Sequence, residues 1–306
     1  MPRLDLTRRA MALSALAGLA SPTLARGQDP ASVSTSNERQ GLLVVPVTIN
    51  GRGPYAFAID SAANTSVVAR DLAGGLALQD AGDVTMHTLV AGERAQTVRA
   101  HRLCTGELVA RDIRLVVADR LGMSGLDGLL GTDLLGGLRL VLNFRGRARV
   151  NITRPRRRPE QDFRVRLNAR SASTGEQRFN GLLLIDARAG AVPCKVIVDT
   201  GARMTIINTA LARQAGAHAL ILPDGTSVGR VLSPTGRAAP AEAMLLPQLR
   251  LGHAELTRVP VLAGDFHTFS VWGLADTPAL LLGVDLLGLF ETVIIDLKRG
   301  ELLLDD

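Results

Sequence analysis

Short apolar runs separated by turn-forming residues recur along most of this 306-residue chain. Val, Ile and Leu dominate the runs, and Gly, Pro or Asn stands at their ends. The clearest runs are 42–49, 55–60, 111–118, 138–144, 194–199 and 292–297. Short runs rich in β-branched residues are typical of strands. The pattern therefore predicts a mostly β protein.

Helical patterns are brief. The segment "NTALARQAG" at 208–216 begins with residues that cap helices, continues with Ala and Leu, and ends at a Gly. A second short helix is predicted after each "GxDLL" segment, where Thr132-Asp133 or Asp285 would cap the first turn. This interpretation gives Asp133 and Asp285 a capping role.

The chain also repeats itself. "GLLVVPVTINGRGPYAFAIDSAANTSVV" (41–68) matches "GLLLIDARAGAVPCKVIVDTGARMTII" (181–207), and "LLGTDLLGGLRLVLNFRGRARVNI" (129–152) matches "LLGVDLLGLFETVIIDLKRGELLL" (281–304). Two copies of such a long unit are typical of neither a solenoid nor a propeller. The duplication predicts two similar β-rich lobes related by a pseudo-two-fold axis, with equivalent loops facing one another.

Repeat and composition together divide the chain into consecutive segments. These are a signal peptide (1–25), a flexible leader (26–40), an N-terminal lobe (41–152), an Arg/Pro linker (153–162) and a C-terminal lobe (163–306). In the first segment Arg8 and Arg9 precede an apolar run and small residues that suit cleavage, which resembles a twin-arginine signal. The run is shorter than the ~20 residues of a membrane span, although a retained anchor stays the alternative. We therefore expect an exported protein, periplasmic or secreted, that does not bind membrane after signal removal.

Composition excludes several classes of function. Net charge is +6, but arginines are concentrated in "TRPRRRPEQD", where flanking prolines favour a solvated linker over a nucleic-acid surface. The histidines show no metal-ligand spacing, and neither a dinucleotide fingerprint nor a P-loop is present. We expect no metal, cofactor or nucleic-acid partner. Cys104 and Cys194 favour free thiols, with a disulfide left open.

The repeated motifs carry a resemblance to a known family. "DTGA" followed by an apolar run, and then "LLGVDLL", resembles the retropepsin-like aspartic proteases. The two fused copies resemble the bilobal arrangement of pepsin-like enzymes. The resemblance covers nearly all of residues 41–304 and implies an all-β, bilobal acid-protease fold.

The resemblance also implies a mechanism. Asp60 and Asp199 occupy the matching positions, one from each lobe. Two close acids cannot both ionise, so they would share a proton and activate a water that attacks a peptide carbonyl. The implied protein is an aspartic endopeptidase that acts on peptide or protein substrates as a monomer, with an intrachain site and without a cofactor.

The same resemblance implies roles for neighbouring residues. The hydroxyls of Ser61 and Thr200 would bond across the lobes, and the "LLG" segments would thread beneath the acids. Gly201 suits a tight turn that brings backbone N–H groups to Asp199. Hairpin flaps would cover the cleft at 84–103 and 227–245, with Gly92 and 233–236 as plausible tips.

The first acidic motif departs from the family pattern. In "DSAA", Ala62 stands where the family has Gly, and a methyl there is strained by about 1 kcal/mol or more if φ is positive. The alternative function is therefore a weakened or inactive protease fold kept as a periplasmic peptide-binding module. Ala63 and Ala202 lack the hydroxyl that would stabilise an ionised acid, which predicts a pH optimum nearer mildly acidic or neutral.

Overall fold

A computed structural model of the chain describes residues 4–5, 37–39, 41–106, 108–145, 149–154, 171–178, 181–222 and 225–305. Of the predicted signal peptide, only Leu4–Asp5 falls within these ranges. Most of the predicted linker, and the first residues of the predicted C-terminal lobe, lie outside them.

Strands account for most of both halves. Those of the first half are β1 (Leu4–Asp5), β2 (Asn37–Arg39), β3 (Leu42–Ile49), β4 (Arg52–Ile59), β5 (Val67–Ala69), β6 (Gln79–His87), β7 (Gly92–Thr105), β8 (Leu108–Ala118), β9 (Gly128–Leu130), β10 (Arg139–Asn143) and β11 (Arg149–Thr153). Those of the second half are β12 (Ser171–Arg178), β13 (Leu182–Ala189), β14 (Val192–Val198), β15 (Ile206–Ile207), β16 (His218–Ala219), β17 (Val228–Leu232), β18 (Ala238–Leu251), β19 (Ala254–Ala263), β20 (Ala279–Leu282), β21 (Thr292–Asp296) and β22 (Glu301–Asp305).

Helices are short, as the sequence predicts. They are α1 (Arg70–Gly75), α2 (Thr132–Leu135), α3 (Thr209–Gln214), α4 (His267–Val271) and α5 (Val284–Leu287). Asn208 caps α3 with its side chain, which accepts a bond from the Leu211 N–H at 2.9 Å. Within the described part of the chain, no helix combines the length and the apolarity needed to cross a membrane.

Each lobe contains the same arrangement of three paired strands. In the N-terminal lobe β9 lies between β4, to which it is parallel, and β5, to which it is antiparallel. In the C-terminal lobe β20 lies in the same way between β14 and β15. The fold is thus the duplicated, all-β, bilobal architecture predicted from the repeat.

The last hairpins of the two lobes share one sheet. Its strand order is β11-β10-β21-β22-β12, and β10 pairs antiparallel with β21, with Val141 opposite Ile294. Leu140, Leu142, Val293 and Ile295 are fully buried in it. The end of the predicted N-terminal lobe therefore joins strands of the C-terminal lobe, and its predicted end at residue 152 falls inside β11.

The prediction of a flexible leader over residues 26–40 is wrong at one point. Residues 37–39, expected to be loose, form β2 and pair antiparallel with β3, so Asn37 lies opposite Val44. Leu42 to Val45 provide a buried strand whose edge accepts them. The core beneath is mostly aliphatic, as composition predicts, and its buried aromatic side chains are Phe57, Phe266, Phe269 and Phe290.

Candidate active site

Each acidic residue immediately follows an apolar strand, at the start of the loop that faces the opposite lobe. Asp60 follows β4, and its N–H donates to the Leu130 carbonyl at 2.9 Å. Asp199 follows β14 and donates in the same way to Leu282 at 3.0 Å. The "LLG" strands thus lie beneath the acids and fix the point at which each loop begins.

A tight turn then holds one oxygen of each carboxyl group. Asp60 Oδ1 accepts from the N–H groups of Ala62 and Ala63 at 3.0 and 2.9 Å. Asp199 Oδ1 accepts from Gly201 and Ala202 at 2.8 and 3.1 Å. Because these bonds engage Oδ1, the Oδ2 oxygen of each acid is left available for a shared proton or a water.

The two loops lie close enough for their acids to interact. A Cβ added to Gly201 would lie 2.5 Å from both Cγ and Oδ2 of Asp60, so the backbone of one loop contacts the carboxyl group of the other. Positive φ angles are found elsewhere in the chain, but not at Gly201. The predicted tight turn is present, since the Gly201 N–H donates to Asp199 Oδ1 at 2.8 Å. Gly201 is needed for space against Asp60 and not for a left-handed turn.

Ser61 and Thr200 join the loops across the lobes. Ser61 Oγ donates to the Val198 carbonyl at 2.7 Å, and Thr200 Oγ1 donates to the Ile59 carbonyl at 2.8 Å. Each hydroxyl also accepts from the other residue's N–H, at 3.1 Å in both directions. Both residues are fully buried. This reciprocal network fixes one acidic loop relative to the other.

The electrostatics of the pair favour a retained proton. Burial is the main cause that raises the pKa of Asp60, from 3.8 to about 6. The pKa of Asp199 is raised well above its ordinary value, again mainly by burial and next by the charge of Asp60. Both side chains keep some contact with solvent at the base of the cleft. Since the two acids titrate together, the retained proton belongs to the pair.

Asp133 and Asp285 have a role that the sequence did not reveal. We predicted that they cap α2 and α5, but the residues at the cap positions are Gly131 and Gly283, without a side-chain bond. Asp133 instead accepts from the N–H and Oγ of Ser66, at 3.0 and 2.7 Å. The capping prediction is therefore wrong in the N-terminal lobe.

The C-terminal lobe repeats this arrangement. Asp285 accepts from the N–H and Oγ1 of Thr205, at 3.0 and 2.8 Å. In each lobe the same hydroxyl accepts from the N–H of the motif glycine, Gly131 or Gly283. These carboxylates therefore tie the end of each acidic loop to the strand beneath it. Recurrence of a Ser/Thr six residues after each catalytic candidate was the signal that could have shown this.

Ala62 sits in the N-terminal loop without backbone strain. It is not among the residues with positive φ, and its N–H still bonds to Asp60. Its side chain packs against an apolar cluster of the C-terminal lobe, which we name the cross-lobe cluster. The members of this cluster are Leu184, Ile197, Ile206, Val231, Ala241, Phe266, Phe269, Leu274, Ala279 and Leu281, with Ala62, Leu89, Ala239, Leu262 and Trp272 packed against them.

Two hairpins lie at the chain positions where the sequence predicts flaps. The N-terminal flap is β6–β7, whose tip is 88–91; Gly92 is the first residue of β7 and not the tip itself. The C-terminal flap is β17–β18, with its tip at 233–237. Thr235 Oγ1 of one flap donates to Glu93 of the other at 2.9 Å. The two flaps are therefore in direct contact.

A cavity of about 540 Å³ on the C-terminal lobe lies away from the acids. It is lined by Ala210, Arg213, Gln214, Asp265, Phe266, Phe269, Ser270, Ala275 and Asp276. Among the described residues, no group of three or more His, Cys, Asp or Glu side chains could hold a metal ion. Cys104 and Cys194 are free, and burial raises the pKa of the Cys194 thiol to about 12.

Comparison with known proteins agrees with this geometry. The model of the aspartyl protease family matches residues 45–134 and 185–286, one segment in each lobe. The chain belongs to the aspartyl protease family. A retropepsin-like aspartic protease from Rickettsia conorii is similar at 21% identity, over 44% of this chain and 87% of that chain, with a TM-score of 0.29. No curated protein matches the chain.

Proposed function

We propose that the chain is an aspartic endopeptidase in which Asp60 and Asp199 activate a water. The observation that carries the proposal is the cross-lobe network of Ser61 and Thr200, which holds the two acidic loops face to face. In the proposed reaction, ionised Asp60 takes a proton from the water. The water attacks the peptide carbonyl, whose oxygen receives the proton of Asp199.

Peptides or proteins are the proposed substrates. Each lobe contributes a flap and the two flaps contact each other, as suits an extended chain held between the lobes. The cross-lobe cluster offers apolar side-chain contacts beside Ala62. Because one chain supplies both loops, we propose that the monomer is active. Sedimentation equilibrium of the active protein would test this, and activity confined to a dimer would contradict it.

Loss of catalysis through Ala62 is the alternative. Negative φ removes the backbone strain on which that alternative was based, and both turn bonds to Asp60 are retained. A peptide-binding module would also have no use for two acids held so close that one raises the pKa of the other. We therefore favour an active enzyme.

The test is cleavage of a diverse peptide mixture across pH by the purified protein, beside Asp60→Asn and Asp199→Asn. We expect both variants to lose at least about 10³-fold in kcat/KM, because each removes one partner of a proton-sharing pair. Thermal denaturation of all three proteins controls for folding. Retention of cleavage by both variants would exclude the dyad. Tight binding of a statine-type transition-state mimic only by the parent would support it independently.

We also propose export through the twin-arginine-like segment. The support is the order of Arg8-Arg9, apolar run and small residues. Cell fractionation of the full chain beside an Arg8→Lys/Arg9→Lys variant tests it. Accumulation of the variant, but not the parent, in the cytoplasm is expected; equal distribution would contradict export by this route.

A further inference from the structure

A pair of histidines joins the N-terminal flap to the C-terminal lobe. His87 is the last residue of β6, immediately before the flap tip, and His267 is the first residue of α4. Their Nδ1 and Nε2 atoms are 2.9 Å apart, although the residues are 180 positions apart in the chain. This contact lies where the flap must separate from the opposite lobe before a substrate can enter.

The geometry of the pair is that of one direct hydrogen bond. The ring planes differ by 19° and the ring centroids are 5.2 Å apart. That separation is close to the 2.9 Å bond plus the distance from each bonded nitrogen to its own ring centre. The rings therefore lie side by side, with their nitrogens pointing at one another, and are not stacked face to face.

Gly92 makes room for this contact. It lies opposite His87 in the β6–β7 register, and a Cβ added there would be 3.2 Å from His87 Nδ1 and 3.5 Å from His267 Nε2. The backbone at Gly92 has no positive φ, so the absence of a side chain serves space alone. Leu89 then packs against the cross-lobe cluster, which also holds Trp272.

We propose that the His87–His267 pair is a pH-sensitive latch that holds the N-terminal flap closed and releases it on acidification. When both rings are neutral, one nitrogen donates and the other accepts. A first proton leaves one donor and one acceptor, so the bond persists. A second proton leaves two donors and two positive charges facing each other, and the contact is lost. The first charge opposes the second proton, so the contact is lost only on acidification beyond the first protonation.

Other charged groups around the pair are already engaged. Glu93, the next residue on β7, accepts from Thr235 and lies 3.8 Å from Arg237 Nε of the other flap. Asp265, just before α4, accepts from the Thr209 N–H at 3.2 Å. Further along the N-terminal flap, Arg94 and Asp83 pair with each other at 2.6 Å. The tip 88–91 and the remainder of α4 contain no ionisable side chain.

The role of the latch in substrate entry rests on the proposed peptidase function, but its opening can be measured without catalysis. Trp272 is the single tryptophan of the chain and packs against the cluster on which Leu89 rests. Acrylamide quenching of its fluorescence in the full-length Asp199→Asn protein reports whether the flap is seated. We expect the quenching constant to rise as the pH falls from 8 to 4, in the acidic part of this range, because the first charge opposes the second proton.

Variants separate the histidines from other causes. In His87→Gln/His267→Gln the rise of the quenching constant on acidification should be lost. His218 is an exposed histidine on β16, and His218→Gln should keep the rise. Gly92→Ala should show raised quenching already at pH 8, because its methyl crowds both rings. Far-UV circular dichroism should stay constant throughout.

Three results would overturn the proposal. The first is an Asp199→Asn protein whose quenching constant does not rise on acidification, and the second is a double glutamine variant in which it still rises. The third is a loss of circular dichroism with the same midpoint as the rise in quenching. A rise in quenching on acidification, together with no peptide cleavage by the protein that has both acids, would instead support the latch and exclude the proposed function.

Discussion

At the end of β5, where α1 begins, the N-terminal lobe has Ala69, which has no side-chain group to cap the helix. The C-terminal lobe has Asn208 at the same position, fully buried, with its amide donating to the Leu274 and Thr277 carbonyls at 2.8 and 2.7 Å. The N-terminal lobe instead holds this region by Arg120, which bonds to Asp71 and Asp127.

Closer to the acids the lobes agree bond for bond. Ser66–Asp133 and Thr205–Asp285 match, and so do the reciprocal bonds of Ser61 and Thr200. The hydrogen bonds of the two copies are therefore the same where both lobes are required to place one proton between two acids. They differ where each lobe only has to hold its own loops.

Ala62 and Gly201 stand at equivalent positions of the two acidic loops, and a substitution at Gly201 should have the stronger effect on catalysis. Gly201→Ala places a methyl 2.5 Å from the Asp60 carboxyl carbon, so one acid must move, and we expect about a 100-fold loss in kcat/KM. The reverse exchange, Ala62→Gly, should change kcat/KM by only a few-fold, because Ala62 is not strained. Peptide-cleavage assays of both variants check this. Equal losses would show that the loops are equivalent after all.

Asn208→Ala should be the most damaging change away from the acids. It removes a helix cap and leaves carbonyl groups in the core without their donor, so we expect about 2–3 kcal/mol less free energy of unfolding. Urea denaturation measures this value. A loss below about 0.5 kcal/mol would show that water replaces the amide.

The acids themselves should lower stability at neutral pH. The folded chain holds the Asp60 proton more tightly than the unfolded chain does, since burial raises the pKa from 3.8 to about 6. Stability therefore falls as pH rises through this interval, and the loss is complete above about pH 6. At pH 7 the free energy of unfolding of Asp60→Asn should thus exceed that of the parent by about 1–2 kcal/mol, a range that allows for the acids' remaining contact with water. Below pH 3.8 the two proteins should be equally stable.

Asp199→Asn should show a gain of the same kind, because burial and the charge of Asp60 raise the pKa of Asp199. Urea denaturation at a series of pH values measures both variants beside the parent. A gain that does not depend on pH would contradict the explanation by ionisation and indicate a change in packing.

The smallest effect is expected at the N-terminal counterpart of Asn208. Arg120→Ala removes ion pairs to Asp71 and Asp127 that stay partly exposed, so we expect a loss of about 1 kcal/mol or less that shrinks in high salt. The Asn208→Ala loss should not depend on salt. Comparing both variants with and without added salt distinguishes a buried amide network from a surface ion-pair network.

Features carried by local pattern or by the repeat were predictable from the sequence. The run at 42–49 is β3 as predicted, and the repeat located Asp60 and Asp199 as partners. Contacts between distant positions were not predictable. The pairing of β10 with β21 and of His87 with His267 depends on how the lobes meet, which no local pattern encodes. Asp133 was misread because its position suits a helix cap as well as a bond to Ser66.

The shared sheet has a practical consequence. The β10–β21 pairing joins the last hairpins of the two lobes, and the chain runs from one lobe to the other between residues 154 and 171. Severing the peptide there would leave each fragment with an exposed strand edge that the opposite fragment complements in register. Two separately produced fragments should therefore recombine into one particle, which makes this protein suitable as a split reporter whose signal returns only on reassembly.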